Sequence, residues 1–240
     1  MNMDKKPRLA LCILHYGEPA LTERLHIQLL HSEPARAVDM MILDNAAPKP
    51  YPMAWKRTTQ NLYWGGAFAL FLEEAARLGY SHVWFCNNDI SFVSSGPYLA
   101  RMEACLVQQG RNGRVGAISP AFTSNPYHRQ MKQIQGQGCT SVPYLDGIAP
   151  MVCIEAVQDV GGLDCSDNPY GYGVDIWLTL RLAQAGWQVL VDHDMLMHHR
   201  FHATAMSING FMEKAARAED TFMKRRLGSG WREQLQQMIS

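Results

Sequence analysis

Residues 65–89 read GGAFALFLEEAARLGYSHVWFCNND, and this stretch decides the predicted fold. Its first half places apolar side chains at helical spacing and ends at Gly79, where a glycine that terminates a helix is expected. Its second half, residues 82–89, is a run of strand formers that ends in two asparagines and Asp89. The stretch therefore predicts a helix, a turn and a buried strand whose carboxyl end carries polar side chains.

Two earlier segments repeat this arrangement. RLALCIL at residues 8–14 and VDMMILDN at residues 38–45 predict buried strands, and residues 20–31 between them predict a helix. Strands that alternate with helices over short connections are typical of a parallel sheet, which binds ligands beyond the carboxyl ends of its strands. The polar residues at the three strand ends are His15, Tyr16, Asp44, Asn45, Asn87, Asn88 and Asp89. The pattern therefore predicts a binding site at this edge of the sheet.

The second half of the chain has a less regular pattern. The predicted helices there are residues 95–109, 173–186 and 211–227. The strand-like segments are residues 114–120, 143–154 and 187–199, the last of which is either a strand pair or one bent strand. With 240 residues and no repeat or linker, the chain is expected to form one domain.

The composition excludes several classes of protein. Charged residues make up 18% of the chain, against about 25% in typical soluble domains, which indicates a well-buried core. The 22 basic and 22 acidic residues leave no net charge, so no general positive field would attract nucleic acid. No apolar run approaches the ~18 residues of a membrane span, so no transmembrane segment is expected, whereas peripheral membrane contact stays open. The six cysteines form no CxxC pair and are interpreted as reduced, structural thiols of a cytoplasmic protein.

Two carboxylates are candidates for chemistry. Asp89, at a strand end, can hold a hard divalent cation such as Mg²⁺ or Mn²⁺, although Asn and Asp are also common in turns. Asp175 precedes a predicted helix, where an acid either complements the helix dipole or, kept ionised by that position, serves as a general base. His198 and His199 end the last predicted strand and either bind metal or face solvent. A basic segment, interpreted as a solvated loop or as a contact for a phosphate-bearing acceptor, contains His128, Arg129 and Lys132.

Five blocks of the sequence together resemble glycosyltransferase family 2, especially its rhamnosyltransferase-like members. The blocks are residues 9–19, 40–48, 61–90, 144–164 and 171–199. The resemblance extends from residue 8 to about residue 200, and the order and spacing of the blocks carry it. It implies an α/β fold of the GT-A type, with one domain, a Rossmann-like and mostly parallel central sheet, and helices on both faces.

The resemblance also implies roles for the matched residues. Asp89 would hold the metal, Mn²⁺ or Mg²⁺, with His199 completing the site. Asp44 would bind a uracil or thymine ring, and Asp175 would be the catalytic base. The other residues expected on the nucleotide and donor side are His15, Tyr16, Gly17, Asn61, Trp64, Gly65, Gly66, Asn87 and Asn88. The residues expected on the acceptor side are Asp146, Gly147 and Tyr172.

The implied activity is that of an inverting glycosyltransferase, which moves a sugar from a uridine or thymidine diphosphate donor to a saccharide, glycan or other hydroxyl acceptor. Residues 8–90 would form the nucleotide-binding half, residues 91–200 the acceptor half, and residues 201–240 a lid loop and a C-terminal helix. Two alternatives stay open. A nucleotidyltransferase would be expected to carry a glycine-rich loop with Lys or Arg after the first strand. A non-catalytic module that binds nucleotide sugars would use the same fold.

Overall fold

The computed structural model describes residues 7–165, 167–200 and 210–239. The strands in these ranges are β1 (Leu9–His15), β2 (Met40–Asp44), β3 (Lys56–Arg57), β4 (His82–Asn87), β5 (Ile90–Phe92), β6 (Val115–Phe122), β7 (Cys139–Ser141), β8 (Met151–Cys153) and β9 (Gln188–His199). The α-helices are α1 (Pro19–Ser32), α2 (Tyr63–Arg77), α3 (Tyr98–Gln109), α4 (Ile154–Asp159), α5 (Val174–Gln184), α6 (Phe211–Leu227) and α7 (Trp231–Met238). Short 3-10 helices span Pro34–Asp39 and Arg129–Met131.

The strands form one mixed sheet in the order β3-β2-β1-β4-β8-β6-β9-β5, with β7 also paired to β9. β1 is parallel to both β2 and β4, as the alternation of strands and helices predicts. β8 is antiparallel to β4 and β6, and β9 is parallel to β6 but antiparallel to β5 and β7. The expected parallel arrangement therefore holds for β1 to β4 and for the β6–β9 pair, whereas β5, β7 and β8 run antiparallel to their neighbours. β7 and β8 follow β6 without an intervening α-helix, and parallel neighbours are usually joined through such a helix.

The N-terminal elements lie where the sequence pattern places them. α1 begins at Pro19, a residue suited to the first turn of a helix because its fixed backbone angle is already helical. α2 is followed by Gly79, whose φ of 79° is the left-handed conformation that ends helices. Every residue of β1 and of β6 is buried, so both faces of the sheet are covered there.

The segment of residues 143–154 differs from the prediction. Only Met151–Cys153 forms a strand, and the residues before it form a buried loop. The Ile148 and Pro150 carbonyls of this loop accept the N–H groups of Asn87 and Phe85 of β4, whereas the Leu145 N–H donates to a side chain, Thr179 Oγ1, at 3.0 Å. Residues 187–199 are one strand rather than two, with a register shift opposite Pro120 and Ala121 of β6. The loop matters because it carries two of the predicted acceptor-side residues, Asp146 and Gly147.

The C-terminal helices pack on a hydrophobic cluster of their own. Its buried residues come mainly from α5, α6 and α7 and are Tyr144, Val174, Ile176, Leu180, Phe222, Met223, Trp231 and Leu235. Trp64 and Leu163 pack against both this cluster and the main core. The predicted helix of residues 211–227 is present as α6. The predicted lid loop is the segment from residue 200 to residue 210, and residues 201–209 of it lie outside the described ranges. Within those ranges, no helix has the length and apolar character that crossing a bilayer requires.

Candidate functional site

One cavity of about 690 Å³ lies beyond the carboxyl ends of β1, β2 and β4. The strand ends contribute Leu14, Tyr16, Asn45, Asn87, Asn88 and Asp89 to its lining. The loop before β8 and the start of α5 contribute Asp146, Gly147, Ile148, Tyr172, Gly173, Asp175 and Ile176. α6 and α7 contribute Phe211, Met212, Ala216, Glu219, Trp231, Arg232 and Leu235. The cavity lies at the edge of the sheet where the sequence predicts a binding site.

Asp89 and His199 form a buried pair in this cavity. β5 pairs with β9 so that Ile90 lies opposite His199, and this register brings the His199 ring to Asp89. The distance from His199 Nε2 to Asp89 Oδ1 is 3.1 Å, and both residues are under a tenth exposed. His198 lies on the opposite face of β9, exposed, with its Nδ1 3.2 Å from Thr123 Oγ1. Strand alternation thus places His199, and not its neighbour, beside the acid.

The distance between the two candidate ligand atoms of this pair suits a divalent cation. Adjacent ligands of an octahedral ion with bonds of about 2.1 Å are roughly 3.0 Å apart. Asp89 Oδ1 and His199 Nε2 are separated by 3.1 Å. At this distance the same two atoms share a hydrogen bond without an ion. Carboxylate oxygen and imidazole nitrogen are both suitable ligands for Mn²⁺.

A buried hydrogen-bond network supports Asn88, the residue before Asp89. Asn88 Nδ2 donates to Thr22 Oγ1 at 2.9 Å and to the Tyr16 carbonyl at 3.3 Å. Thr22 Oγ1 lies 2.7 Å from His15 Nδ1, and His15 Nε2 lies 2.8 Å from the Lys49 carbonyl. Since a carbonyl only accepts, His15 carries its proton on Nε2 and accepts the Thr22 hydroxyl. His15 is fully buried and outside the cavity lining, so it positions Asn88 instead of facing a ligand.

Asp44 lies behind the cavity and outside its lining. Its side chain is 1% exposed. It accepts hydrogen bonds from the N–H groups of Ala47 and Tyr51, at 2.9 and 3.2 Å, and from the Arg57 guanidinium at 2.6 Å. These donors occupy both carboxylate oxygens and fix the turn after β2. A direct contact between Asp44 and a nucleobase stays a prediction.

Asn45 and Asn61 line the cavity in front of Asp44. Asn45 Oδ1 accepts the Leu62 N–H at 2.8 Å, and its Nδ2 donates to Asn61 Oδ1 at 2.9 Å. Asn61 Oδ1 also accepts the Tyr63 N–H at 2.7 Å. With Oδ1 used twice inside the protein, Nδ2 is the polar atom of Asn61 that can serve a ligand.

The other predicted glycines act through packing. Gly65 and Gly66 lie in the first turn of α2, where an added Cβ would meet Cys165 and Leu62 at 3.2 and 3.1 Å. Gly17 has a φ of 94° in the turn after β1. None of the three is among the cavity-lining residues of the described chain. Their place is to shape the turns that carry Tyr16 and Trp64.

Gly147 lies where no side chain fits. A Cβ there would be 2.8 Å from Trp64 Cζ2 and 2.9 Å from Asp175 Oδ2. The Gly147 carbonyl accepts the Trp64 indole N–H at 2.8 Å, and its own N–H bonds to the Asp175 carboxyl. Gly147 therefore holds together two cavity residues that are far apart in sequence.

Replacement of Gly147 by Ala is expected to displace Trp64 or Asp175 and to lower turnover by about 10–100-fold, because shifts near 1 Å cost on that order. Overpacking should also lower the melting temperature. The matched control is Gly230→Ala, where the new Cβ has no neighbour closer than 3.9 Å and φ is −92°. Turnover and melting temperature of both variants are the measurements. A Gly147→Ala variant as active as the Gly230→Ala variant would contradict the tight fit.

Asp175 lies in the first turn of α5 with one carboxylate oxygen, Oδ1, buried and without a hydrogen-bond partner in the described chain. Burial raises its pKa to about 7. That value also includes the nearby Asp146 and Glu219, which raise the pKa, and the N–H groups of Ile176 and Gly147, which lower it. The expectation that the helix start keeps Asp175 fully ionised at neutral pH is wrong, because burial outweighs the helix N-terminus. A carboxyl with a pKa near neutrality can exchange a proton under physiological conditions.

Asp146 and Tyr172 complete the predicted acceptor side, and both line the cavity. Asp146 is buried and accepts hydrogen bonds from Asn125 Nδ2 at 2.7 Å and from the Ile148 N–H at 3.3 Å. Burial raises its pKa, and the neighbouring His128 opposes this. Burial also raises the pKa of the Tyr172 hydroxyl to about 12, so it stays protonated at neutral pH.

Several lining residues are missed by the sequence patterns. Of the basic segment, only His128 lines the cavity, whereas Arg129 donates to the Ile239 carbonyl at 2.8 Å near the C-terminus. Glu219 on α6 is a third carboxylate near Asp175, and burial raises its pKa. Helical periodicity identifies α6 as amphipathic but does not show that one of its acids faces a cavity.

Sequence comparisons identify relatives without a known role. No family model matches the chain. Uncharacterized proteins of Mycobacterium bovis and Mycobacterium tuberculosis are 28% identical over 174 residues, which cover 70% of this chain and 66% of each relative. The chain thus matches just under two thirds of their length.

Solved structures are more informative about the fold. GalNAc-T7 superposes with a TM-score of 0.65 at 9% identity, covering 97% of this chain and 55% of that one. The mannosyltransferase PcManGT of Pyrobaculum calidifontis gives 0.58 at 15% identity, with 99% and 74% coverage. TarS of S. aureus gives 0.62 at 9% identity, with 95% and 42% coverage. The chain has a GT-A fold. This confirms the predicted fold class.

Proposed function

We propose that this GT-A protein is a metal-dependent, inverting glycosyltransferase that uses a nucleoside diphosphate sugar. One observation carries the proposal: the buried Asp89–His199 pair and the Asp175 carboxylate with an unpartnered oxygen face the same cavity. The solved structure of GalNAc-T7 contains UDP, GalNAc and Mn²⁺, and that of PcManGT contains GDP-Man and Mn²⁺. These neighbours support a nucleotide-sugar donor and a divalent cation for this chain too.

In the proposed reaction, the residues of this chain divide between the donor and the acceptor. Asp89 and His199 would hold Mn²⁺ or Mg²⁺, and the ion would neutralise charge on the leaving diphosphate. Asp175 accepts the proton of the acceptor hydroxyl, which attacks the anomeric carbon as the bond to the diphosphate breaks. A single base is sufficient because a nucleoside diphosphate leaves without protonation by a carboxylic acid. Glycosidases differ, because they need two carboxyl groups, one of which protonates the leaving group. The N–H groups of Gly147 and Ile176 orient the carboxylate for this role.

The acceptor is proposed to be a saccharide or glycan. The side of the cavity around Asp175 carries the carboxyl groups of Asp146 and Glu219, which can accept hydrogen bonds from sugar hydroxyls. Tyr172 and Trp231 add aromatic surface on which a sugar ring can pack. The rhamnosyltransferase-like subtype within family 2 rests on the sequence blocks alone.

A product assay tests the proposal against its two alternatives. The purified chain is incubated with Mn²⁺ and a panel of nucleotide sugars, without an added acceptor, and the products are separated. Slow release of free sugar and nucleoside diphosphate is expected. Pyrophosphate release would show a nucleotidyltransferase instead, and binding without any product would show a non-catalytic module. A nucleotidyltransferase is expected to use a Lys or Arg that follows the first strand, and the first such residue after β1 is Arg24. Arg24 contacts the Ile90 carbonyl at 3.4 Å and does not line the cavity, which disfavours this alternative.

The base preference is a separate prediction. Uridine and thymidine diphosphates are expected to bind at least about 10-fold more tightly than guanosine diphosphate in the presence of Mn²⁺, a difference of ~1.4 kcal/mol. Because Asp44 is enclosed by its own donors, the discrimination would act through the adjacent Asn45 and Asn61. Calorimetric titration of the three diphosphates measures it. Equal affinities would remove the pyrimidine preference and leave the transferase proposal intact.

A further inference from the structure

Two cysteines that are far apart in sequence meet outside the cavity. Cys105 on α3 and Cys139 on β7 have their sulfur atoms 2.6 Å apart, and both are partly buried free thiols. The structure thus pairs two of the six cysteines that the sequence presents as unrelated. β7 pairs with β9 so that Cys139 lies opposite Asp192. The pair therefore links a surface helix to a short strand of the central sheet.

The geometry favours a disulfide over a metal site. Ligand atoms of Cys105, Cys139 and Asp192 all lie within 4.8 Å of one another. Two thiolates on one tetrahedral zinc with bonds of about 2.3 Å would be roughly 3.8 Å apart, well beyond the observed 2.6 Å. Asp192 already accepts the Asp194 N–H at 3.0 Å. Both ring nitrogens of the adjacent His193 are also bonded, to the Ile134 N–H and the Thr140 hydroxyl, so His193 is not available as a further ligand.

We propose that Cys105 and Cys139 form a site of reversible oxidation, which a low-molecular-weight disulfide such as glutathione disulfide converts to an intramolecular disulfide. One thiolate attacks the oxidant and releases a glutathione thiol, and the second cysteine then displaces the other glutathione. Two S–H bonds are lost and one S–S bond is formed. The two electrons reduce glutathione disulfide to two thiols, which carry the two protons at neutral pH.

The electrostatic surroundings of Cys105 slow the oxidation of the pair at neutral pH. The pKa of the Cys105 thiol is raised by its hydrogen bond with Cys139, by burial and by the charges of Cys139, Asp192 and Asp194. Cys105 therefore stays a thiol at neutral pH, and the pair reacts when one of its two cysteines loses its proton. Oxidation is slow at neutral pH and accelerates as the pH rises, because only thiolates attack disulfides.

The bond would close a loop that carries part of the cavity wall. Cys105 and Cys139 are 34 positions apart, and β6 and the segment with Tyr127 and His128 lie between them. Cross-linking such a loop removes conformations from the unfolded chain. For a domain of this size, the oxidised protein is expected to melt roughly 5–15 °C above the reduced protein.

The test compares the full chain after reduction with the same chain after incubation with glutathione disulfide at about pH 8, where thiolates are more abundant. Denaturing alkylation followed by intact mass counts the free thiols, peptide mapping locates any bond, and a thermal melt measures stability. We expect two fewer alkylated thiols, a cross-linked 105–139 peptide pair and the higher melting temperature. Dithiothreitol should reverse all three.

Matched variants separate the pair from the other thiols. Cys105→Ser and Cys139→Ser should lose the oxidation-dependent shift, whereas Cys165→Ser, at a partly buried cysteine elsewhere, should keep it. The mapping in the unmodified chain decides the matter even if a serine variant folds poorly. Six alkylated thiols after oxidation, glutathione left attached to one cysteine, or a different cysteine pair in the cross-link would overturn the proposal. So would one zinc per chain in the purified protein that is lost in Cys105→Ser.

Discussion

Replacement of Asp175 by Asn is expected to lower turnover by about 10²–10⁴-fold, which corresponds to roughly 3–5 kcal/mol of barrier. The amide keeps the shape and accepts the N–H groups of Gly147 and Ile176, but it cannot take a proton from the acceptor. Donor affinity should hardly change, because the metal pair of Asp89 and His199 is untouched. Turnover at saturating donor and acceptor, together with donor affinity, measures this separation.

The same substitution is expected to raise stability at alkaline pH. Asp175 has a pKa of about 7 in the folded chain, against about 3.9 for an exposed aspartate. The folded state therefore binds this proton more tightly than the unfolded state. Its contribution to stability is complete below about pH 4 and is lost as the pH rises through 7. In EDTA at pH 8–9, Asp175→Asn should melt several degrees higher than the unaltered chain. At pH 5 the difference between the two melting temperatures should be smaller.

The pH dependence of turnover follows from the same pKa. The unaltered chain should lose activity as the pH falls below 7, because Asp175 becomes protonated and can no longer act as a base. Glu155→Gln is the matched control, since Glu155 is also a first-turn acid, on α4, but is exposed and outside the cavity. It should retain turnover and show no alkaline stabilisation. An Asp175→Asn variant with normal turnover would remove Asp175 from the mechanism.

Replacement of Asp89 by Ala is expected to abolish the Mn²⁺-dependent part of donor binding. Asp89 supplies a carboxylate oxygen that lies 3.1 Å from His199 Nε2. Metal stabilisation of a leaving diphosphate contributes several kcal/mol, so turnover should fall by at least about 10²-fold. Because removal of Asp89 leaves a buried histidine, Asp89→Asn is the companion variant, which retains a hydrogen-bonding side chain and should fold normally.

Calorimetric titration of the donor diphosphate with Mn²⁺ and with EDTA measures this effect. For the unaltered chain the two affinities should differ widely, and for both Asp89 variants they should coincide. Glu73→Ala, at an exposed acid of α2, is the control and should behave as the unaltered chain. An Asp89 variant that keeps its Mn²⁺ response would place the metal elsewhere.

Much of the fold can be predicted from local patterns. The first strand, the helix after it and the strand that ends in Asn87 and Asn88 lie within a few residues of their predicted bounds. Continuous apolar runs in short strands and helical spacing between them are strong signals, because both arise from burial against one sheet. The segment of residues 143–154 escapes this reasoning, since part of its backbone bonds to β4 and part to the distant Thr179 side chain.

The candidate site, too, can be predicted from the sequence only in part. The sequence by itself determined that polar residues follow three parallel strands, and hence that Asp89 and its neighbours lie at one edge of the sheet. Only the tertiary structure decided that His199 reaches Asp89, that Asp44 turns inward to its own donors, and that Asp175 is buried with a pKa near 7. The His199–Asp89 contact joins residues 110 positions apart, and the burial of Asp175 depends on elements that meet only in the folded chain. No local pattern encodes the electrostatic environment that such contacts create.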